Sequence, residues 1–294
     1  MTVRFNLYGL AIVLGIAAAV IYMRQESKRL KLPQDLAVDM ALWSVPPAVV
    51  AARLYYVAFA WELFKNDPLS IFKVWEGGLA IYGGVIGGAL GVLLLSRRRR
   101  LPFLQLADLV APGLILAQAI GRWGNYFNGE AYGYAVTNKA LQFFPLAVLT
   151  NGTWHMATFF YESLWNFLGF LLLLKLRRRF YQNGHGLVFY AYLMVYGVGR
   201  MVIEGLRTDS LMLGAARVSQ LLSVALVAFA GFMIIKRLGR GGWNIVPLFL
   251  GLILLFLAAA GFAWALVPAY VLIAVFAALV LLPPKLPVNA KGSR

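Results

Sequence analysis

The 294-residue sequence contains no cysteine, which excludes disulfides, thiolate metal sites and a cysteine nucleophile. Only two histidines occur, and this argues against a histidine-based metal site. We therefore expect neither a metal nor a cofactor, so any chemistry must come from the remaining polar side chains.

Charged residues are also scarce, at 13% of the chain, and acidic ones are scarcest: 11 Asp and Glu stand against 27 Lys and Arg. Hydrophobic residues reach 62%, far above the level of soluble proteins. The net charge of +16 could suggest nucleic acid, but the cations lie in short clusters directly after apolar runs, as they do beside transmembrane helices. The composition predicts an integral membrane protein that contacts anionic lipid headgroups and no nucleic acid.

Apolar runs of about 17 to 22 residues are long enough to cross the bilayer as helices. Clusters of Lys and Arg after alternate runs assign those loops to the cytoplasm and the amino terminus to the outside. Pro46 and Pro47 are expected to kink the second span. We predict an all-α polytopic membrane protein with a body of seven spans, at residues 7–23, 36–64, 77–95, 104–120, 157–174, 186–204 and 218–235.

Two segments fall outside this seven-span pattern. Residues 121–156, between the fourth and fifth spans, are predicted to form an outer arm on or near the membrane. Glycine, proline and asparagine in residues 239–247 indicate a boundary, and the apolar runs at 245–262 and 264–282 predict two extra C-terminal spans. The expected domains are a body at residues 1–240 and an extension at 241–294.

The string GRWGNYFNGEAYG, residues 121–133, interrupts the apolar background with an arginine, two asparagines and a glutamate. Charge and irregular backbone are tolerated at membrane depth only around a polar cavity. We therefore interpret Arg122, Asn125, Asn128 and Glu130 as part of the active site.

A second polar cluster ends the sixth span. Spacings of four and three residues place Arg200, Glu204 and Arg207 on one face of a helix, with Tyr196 one turn earlier. The cluster is either an intrahelical ion-pair ladder or an anion site. Its excess of positive charge favours a phosphate, which arginine binds through two parallel hydrogen bonds. Arg122 would form the second half of such a clamp.

Other polar residues in the spans have structural interpretations. Asp39, near a helix start, suits the positive end of the helix dipole. A cap or interface role is expected for Asp108, and pairing with another helix for Glu162. The glycine-rich residues 77–88 favour close helix packing, and the hydroxyl of Tyr82 in their middle needs a polar partner.

Five separated strings of the sequence resemble the bacterial prolipoprotein diacylglyceryl transferases. These are YGL at 8–10, ARLYYV at 52–57, WEGGLAIYGG at 75–84, AQAIGRWGNYFNGEAYG at 117–133 and YGVGRMVIEGLRTDSL at 196–211. The resemblance extends from residue 8 to about residue 236, and the string at 117–133 is its most specific part.

The resemblance implies transfer of the diacylglyceryl group from phosphatidylglycerol to the lipobox cysteine thiol of a preprolipoprotein, with release of glycerol phosphate. It places this reaction at the outer leaflet of the bacterial cytoplasmic membrane. It also implies that Arg122 and Arg200 are essential. The predicted substrate-binding residues are Tyr8, Arg53, Asn125, Asn128, Glu130, Gly133, Tyr196 and Arg207.

The chemistry agrees with this implied reaction. A thiolate would attack a glycerol carbon, and negative charge would grow on the departing phosphate, where guanidinium groups stabilise the transition state. Tyr82 or Glu204 would help to deprotonate the thiol. Many members of the family have a histidine where this chain has Tyr82, and tyrosine, with a pKa of about 10, is a poor base. His155 is a weaker candidate, so the base stays open.

Two alternatives remain: a noncatalytic lipid or anion transporter, and a specialised paralogue of the transferase. Transport predicts polar residues along a path across the whole membrane. The polar residues of this chain concentrate towards the outer half of the predicted spans, which favours the enzyme.

Overall fold

The computed structural model describes residues 7–208, 212–213 and 216–238. In these ranges the chain forms seven long helices: α1 Leu7–Arg29, α2 Leu36–Phe59, α3 Ile81–Arg99, α4 Phe103–Asn128, α5 Thr158–Phe180, α6 Leu187–Glu204 and α7 Val218–Leu238. Two short antiparallel hairpins pair β1 Ala147–Thr150 with β2 Thr153–Met156, and β3 Met212–Leu213 with β4 Ala216–Arg217.

Six of these helices, all except α3, are long and apolar enough to cross a membrane. The predicted all-α polytopic class is therefore confirmed. The two extra spans predicted at 245–262 and 264–282, and the domain boundary at residue 240, lie outside the described residues.

The chain divides into two compact units. The first contains α1 to α5, the β1–β2 hairpin, the beginning of α6 up to Tyr196, and the segment that starts at Leu206. The described part of the second contains the end of α6, the β3–β4 hairpin and α7.

Helix α4 is central to the first unit, because it packs against both α1 and α5. Its apolar segment is 50% buried, against 28% for α1 and for α2. Small residues bring α1 and α4 together: a Cβ added at Gly113 would lie 3.3 Å from the Cβ of Ala19. Close contact of small residues is a common way for helices to pack in membranes.

The two ends of the first unit differ in charge. We call the end that contains residues 121–133 the motif end, and the opposite end, where Arg29, Arg99 and Arg177 lie, the basic end. Glu26 of α1 is 2% exposed at the basic end and pairs with Arg29 and, at 2.8 Å, with Arg177 of α5. This buried carboxylate therefore joins α1 to α5.

Aspartates complete the connections at the basic end. Arg99 pairs with Asp39, in the first turn of α2, and with Asp35, between α1 and α2. The Arg99 guanidinium holds the pKa of Asp35 below its usual value. Asp108 accepts hydrogen bonds from the backbone N–H groups of Gly186, at 2.5 Å, and Phe189, at 2.8 Å, at the start of α6. The capping role expected for Asp108 is confirmed.

Three predicted span boundaries were wrong. Helix α2 ends at Phe59 rather than at residue 64, and the chain continues as the 3-10 turns Trp61–Leu63, Pro68–Phe72 and Val74–Glu76. Helix α3 starts at Ile81 rather than at residue 77 because Gly77 and Gly78 have φ angles of +93° and +68°, which an α-helix does not accommodate.

The third difference concerns the motif. Helix α4 runs to Asn128, so residues 121–128 are helical and the expected outer arm begins only after them. The predicted span ended at residue 120, before the charge of Arg122. That charge is instead paired with Glu162 of α5, which lets the helix continue.

The glycines of α3 allow close helix packing, as the sequence predicted, and the helix that they contact is α2. Gly83, Gly87 and Gly91 are buried, and Cβ atoms added at Gly83 and Gly87 would each lie 2.6 Å from a Cβ of α2, that of Tyr55 or Ala51. Gly88 differs, because its added Cβ would lie 3.8 Å from the nearest atom, an ordinary contact.

This difference predicts opposite effects of the same substitution at adjacent positions. Gly87→Ala should destabilise the protein by about 1–3 kcal/mol, because the extra methyl overlaps the backbone of α2. Gly88→Ala should be neutral or stabilising by up to about 1 kcal/mol, because alanine favours the helix. Thermal unfolding of the two purified variants in detergent measures the difference, and equal midpoints would contradict the close α2–α3 contact.

Candidate active site at the end of α4

The last turns of α4 carry three of the predicted site residues, Arg122, Asn125 and Asn128. The helix ends at Gly129, whose φ of +67° is the left-handed conformation of a helix C-cap. Its N–H bonds back to the carbonyl oxygens of Asn125 and Tyr126. The Asn-Gly pair of the motif therefore terminates the helix, and Asn128 is exposed at its end.

Arg122 is held by a carboxylate from the neighbouring helix. One of its terminal nitrogens donates to Oε1 of Glu162 in α5, and the other donates to Oδ1 of Asn125 at 3.3 Å. The side chain of Glu162 is 3% exposed and that of Arg122 is 18% exposed. A carboxylate buried this deeply requires a cation, so the pair fixes α4 against α5. The expectation that Glu162 pairs with another helix is confirmed.

The contacts continue from this pair to the surface. Asn125 donates from Nδ2 to Oε1 of Glu130 at 2.8 Å, and Glu130 itself is exposed. Asn125 thus bridges Arg122 and Glu130, two residues that the sequence assigned to one site. The structure brings Arg122, Asn125 and Glu130 together as predicted, and adds Glu162.

The end of the motif is a crossing point of three backbone segments. Gly133 donates its N–H to Met156 at 3.0 Å and forms an antiparallel bridge with Arg207. A Cβ at Gly133 would lie 2.7 Å from the Cβ of Met156 and 2.8 Å from the carbonyl oxygen of Leu206, so only glycine fits. The ring Nδ1 of His155 donates to the Gly133 carbonyl at 3.1 Å, which gives this histidine a place in the crossing.

The position predicted for Arg207 was wrong. Helix α6 ends at Glu204, so Arg207 does not share a helical face with Arg200. Leu206 accepts a hydrogen bond from the backbone N–H of Tyr134 at 3.2 Å, and this pairing draws the chain out of the helix. The structure instead places the backbone of Arg207 beside Gly133, in the same unit as the motif.

Arg200 and Glu204 lie in the second unit and form an ion pair of 2.9 Å across one helical turn. Glu204 is 2% exposed, and its carbonyl accepts a hydrogen bond from Arg217. The predicted shared helical face is confirmed for these two residues. Tyr196 belongs to the first unit, where its ring stacks on Tyr192 at 5.9 Å.

Two of the three tyrosines of the predicted site, Tyr8 and Tyr82, lie in the first turns of their helices. Tyr8 of α1 packs on Gly124 in the motif, where an added Cβ would lie 2.8 Å from the tyrosine ring. Tyr82 was expected inside a span that starts at residue 77, but it lies in the first turn of α3, with its ring 6.4 Å from that of Tyr55. The later start of α3 is the reason, and it puts this hydroxyl at a helix end.

Arg53 is buried, at 6% exposure, and its guanidinium lies 5.0 Å from the ring centre of Phe64. All five of its N–H donors are directed at backbone carbonyl oxygens of the loop between α2 and α3. The acceptors are Ile71 at 2.9 Å, Gly77 at 2.6 Å, Gly78 at 3.1 Å, Ser70 at 2.7 Å and Lys73 at 3.4 Å.

Every N–H of Arg53 is thus directed at the loop, which the guanidinium holds in place. Its role in substrate binding stays a prediction. The φ of +68° at Gly78 and the ring of Tyr56, 2.8 Å from an added Cβ there, show how tightly the loop closes over the guanidinium.

Among the described residues no group of three or more His, Asp or Glu could hold a metal ion. The helices and the polar residues at the end of α4 define a multi-pass membrane protein with a site at one end of its first unit. The chain belongs to the prolipoprotein diacylglyceryl transferase family, whose model matches residues 1–236.

Curated relatives agree with this assignment, and the predicted family is confirmed. Each relative named here is a phosphatidylglycerol–prolipoprotein diacylglyceryl transferase. That of Listeria welshimeri is 43% identical over 238 residues, covering 79% of this chain and 85% of the relative. That of Bacillus cereus is 44% identical over 240 residues, covering 80% and 88%. That of Halalkalibacterium halodurans is 42% identical over 241 residues, covering 80% and 83%.

The contacts of Arg53 predict a local effect on the loop. Arg53→Lys keeps the charge but has too few donors for five carbonyls, so the loss of charged hydrogen bonds should raise amide hydrogen exchange in residues 61–78 by about tenfold or more. Hydrogen–deuterium exchange with mass spectrometry measures this. Lys65→Ala, which removes an exposed ion pair of the same loop, should change exchange by less than about twofold. Unchanged exchange in Arg53→Lys would refute the structural role.

Proposed function

We propose that this protein transfers the sn-1,2-diacylglyceryl group of phosphatidylglycerol to the lipobox cysteine of a preprolipoprotein and releases glycerol phosphate. The family membership and the names of the relatives support this activity. The main supporting observation is the set of hydrogen bonds that Arg122 makes. Glu162 holds the guanidinium in place, and N–H donors of Arg122 are left to bind a ligand.

The donor inventory of the arginines supports the choice of Arg122. A guanidinium has five N–H donors. Arg122 uses two of them, towards Glu162 and Asn125, and within residues 7–208, 212–213 and 216–238 its other three have no hydrogen-bond partner. Arg53 uses all five. Arg122 is thus both positioned and able to bind an anion.

The charge around Arg122 indicates that it does not act alone. Arg122 pairs with Glu162 and is connected through hydrogen bonds to Glu130, so two carboxylates accompany one guanidinium. Together these side chains carry no net positive charge. A phosphate therefore needs further positive charge. Arg207, whose backbone lies beside the motif, is the arginine to which we assign that charge. Arg200 enters the proposal because the family resemblance predicts it to be essential.

The reaction is a displacement at the glycerol carbon that carries the phosphate. The cysteine thiolate forms the new C–S bond while the C–O bond breaks, and the electron pair leaves with the phosphate oxygen of glycerol phosphate. Negative charge grows on that oxygen, so the arginines bind the transition state more strongly than the substrate. The thiol proton must pass to a base.

Of the two candidate bases, Glu204 suits the role better than Tyr82. Its carboxylate is ion-paired with Arg200 and carries a lone pair that can accept a proton. A tyrosine hydroxyl, with an ordinary pKa of about 10, is protonated at neutral pH and has little basicity. We assign proton acceptance to Glu204 and contact with the substrate to Tyr82.

We place the protein in the bacterial cytoplasmic membrane with the motif end towards the outer leaflet. The last turns of α1, α3 and α5 carry Lys28 and Arg29, Arg97–Arg99 and Arg177–Arg179, respectively. Positive residues flank membrane helices mainly on the cytoplasmic side. The basic end of the first unit is then cytoplasmic, and Arg122 faces the side where preprolipoproteins emerge.

The direct test is a mass measurement on a lipobox peptide. The purified protein, incubated with the peptide and phosphatidylglycerol, should add one diacylglyceryl group through a thioether, and a Cys→Ser peptide should remain unmodified. No adduct, under conditions in which the Listeria welshimeri relative forms one, would refute the activity and favour a lipid-binding or transport role.

Substitution of the two arginines tests their roles. Arg122→Lys and Arg200→Ala should each lower the transfer rate by about 100-fold or more, because a guanidinium that faces the developing charge is lost. Arg97→Ala, at an exposed position of the basic end, should retain activity within about twofold. Membrane insertion of all three should be unchanged. Full activity of either site variant would remove that arginine from the mechanism.

A further inference from the structure

An apolar groove of about 650 Å³ lies beside the site in the first unit, between α1, α4 and α5. Its volume is in the range of small-molecule sites, about 300–1,000 Å³. The lining residues nearest the motif end are Leu7, Phe127 and Phe160, and those farthest from it are Leu14, Leu116 and Phe167. The groove therefore runs along the helices, away from the polar site.

The groove offers an occupant no unpaired polar atom. Ser163 is its one hydroxyl-bearing lining residue, and that hydroxyl donates to the carbonyl of Ala119 at 2.8 Å and accepts from Nε1 of Trp123 at 3.1 Å. Ala11 and Ala119, both buried, are its smallest lining side chains. The walls are otherwise aliphatic and aromatic, so the surface fits hydrocarbon.

The length of the groove matches one leaflet of a bilayer. Along α4 it extends from Phe127 to Leu116, which at 1.5 Å per residue is about 16 Å. The hydrocarbon core of a bilayer is about 30 Å thick, so one leaflet contributes about 15 Å. An acyl chain that enters at the motif end would thus lie in the groove over most of the thickness of one leaflet.

The groove begins at the same end of the helices as the arginine site. Trp123, which lines the groove, is the residue after Arg122, and the next position of α5 after Glu162 is Ser163. A molecule with an acyl chain in the groove would therefore have its polar end at the motif end, where Arg122 lies. Such a molecule has a long hydrocarbon chain and an anionic headgroup.

We propose that this groove binds one acyl chain of the anionic phospholipid donor and that its inner residues limit the length of that chain. This inference rests on the proposed function for the identity of the donor. A concave groove with small residues between bulky ones encloses a single chain, whereas lipids that merely surround the protein cover its convex faces. We assign to Leu116 the role of limiting the length of the bound chain, because it is the lining residue of α4 farthest from the motif end.

The first test uses two tryptophan variants of α4. Leu116→Trp shortens the groove, and Leu114→Trp adds the same side chain at an exposed position outside it. The ratio of transfer rates from dipalmitoyl to dioctanoyl phosphatidylglycerol should fall about tenfold or more in Leu116→Trp and change less than about twofold in Leu114→Trp. An unchanged ratio, or equal changes in both variants, would overturn the proposal.

The second test does not depend on catalysis. Wild-type protein is irradiated with phosphatidylglycerol that carries a diazirine at the end of one acyl chain, and the labelled peptides are identified by mass spectrometry. Label should fall on residues 7–14, 116–127 or 160–167 and should be displaced by excess unlabelled phosphatidylglycerol.

The outcomes of this labelling are distinct. Equal labelling by a phosphatidylcholine with the same chain would identify bulk lipid, and displacement by a lipobox peptide alone would identify a peptide groove. Either result, or labelling elsewhere, would overturn the proposal. Specific labelling in a protein that forms no thioether adduct would instead refute the proposed function and leave the groove assignment standing.

Discussion

The ion pair between Arg122 and Glu162 is the interaction on which the site depends. A carboxylate that is 3% exposed inside an apolar helix bundle is stable only with a cation at contact distance. Because each charge requires the other, α4 must continue past its apolar segment and α5 must lie beside it. The pair therefore positions the guanidinium, and the other three N–H donors of Arg122 have no hydrogen-bond partner among the residues that the structure describes.

Three arginines that looked alike in the sequence have different surroundings. Arg53 is enclosed by five carbonyl oxygens, and Arg200 forms an ion pair within its own helix. Arg122 forms an ion pair between two helices, and its remaining N–H donors have no partner among the described residues. A spacing rule identifies Arg200 with Glu204, since both lie on one helix. No rule of spacing distinguishes Arg53 from Arg122, because the carbonyls around Arg53 lie 17 to 25 residues away and Glu162 lies 40 residues from Arg122.

Local patterns predicted most of the fold. Apolar runs located all seven helices, small residues indicated the close packing of α3, and the position of Asp108 indicated a cap. The late start of α3 has a local cause, the φ angles of Gly77 and Gly78, whereas two other failures arise from a partner distant in sequence. Arg207 leaves the helical face because strand pairing at Gly133 competes with helix α6. Glu26, overlooked among the cations that follow the first predicted span, joins α1 to Arg177 of α5.

We propose that Glu162 serves the reaction by positioning Arg122. The most direct measurement is a double-mutant cycle on the affinity for phosphatidylglycerol, with Arg122→Lys, Glu162→Gln and the double variant. Residues in contact should couple by at least about 1 kcal/mol, so the double variant should bind little worse than Arg122→Lys alone. Additive losses would mean that Glu162 and Arg122 act independently, which would contradict this account.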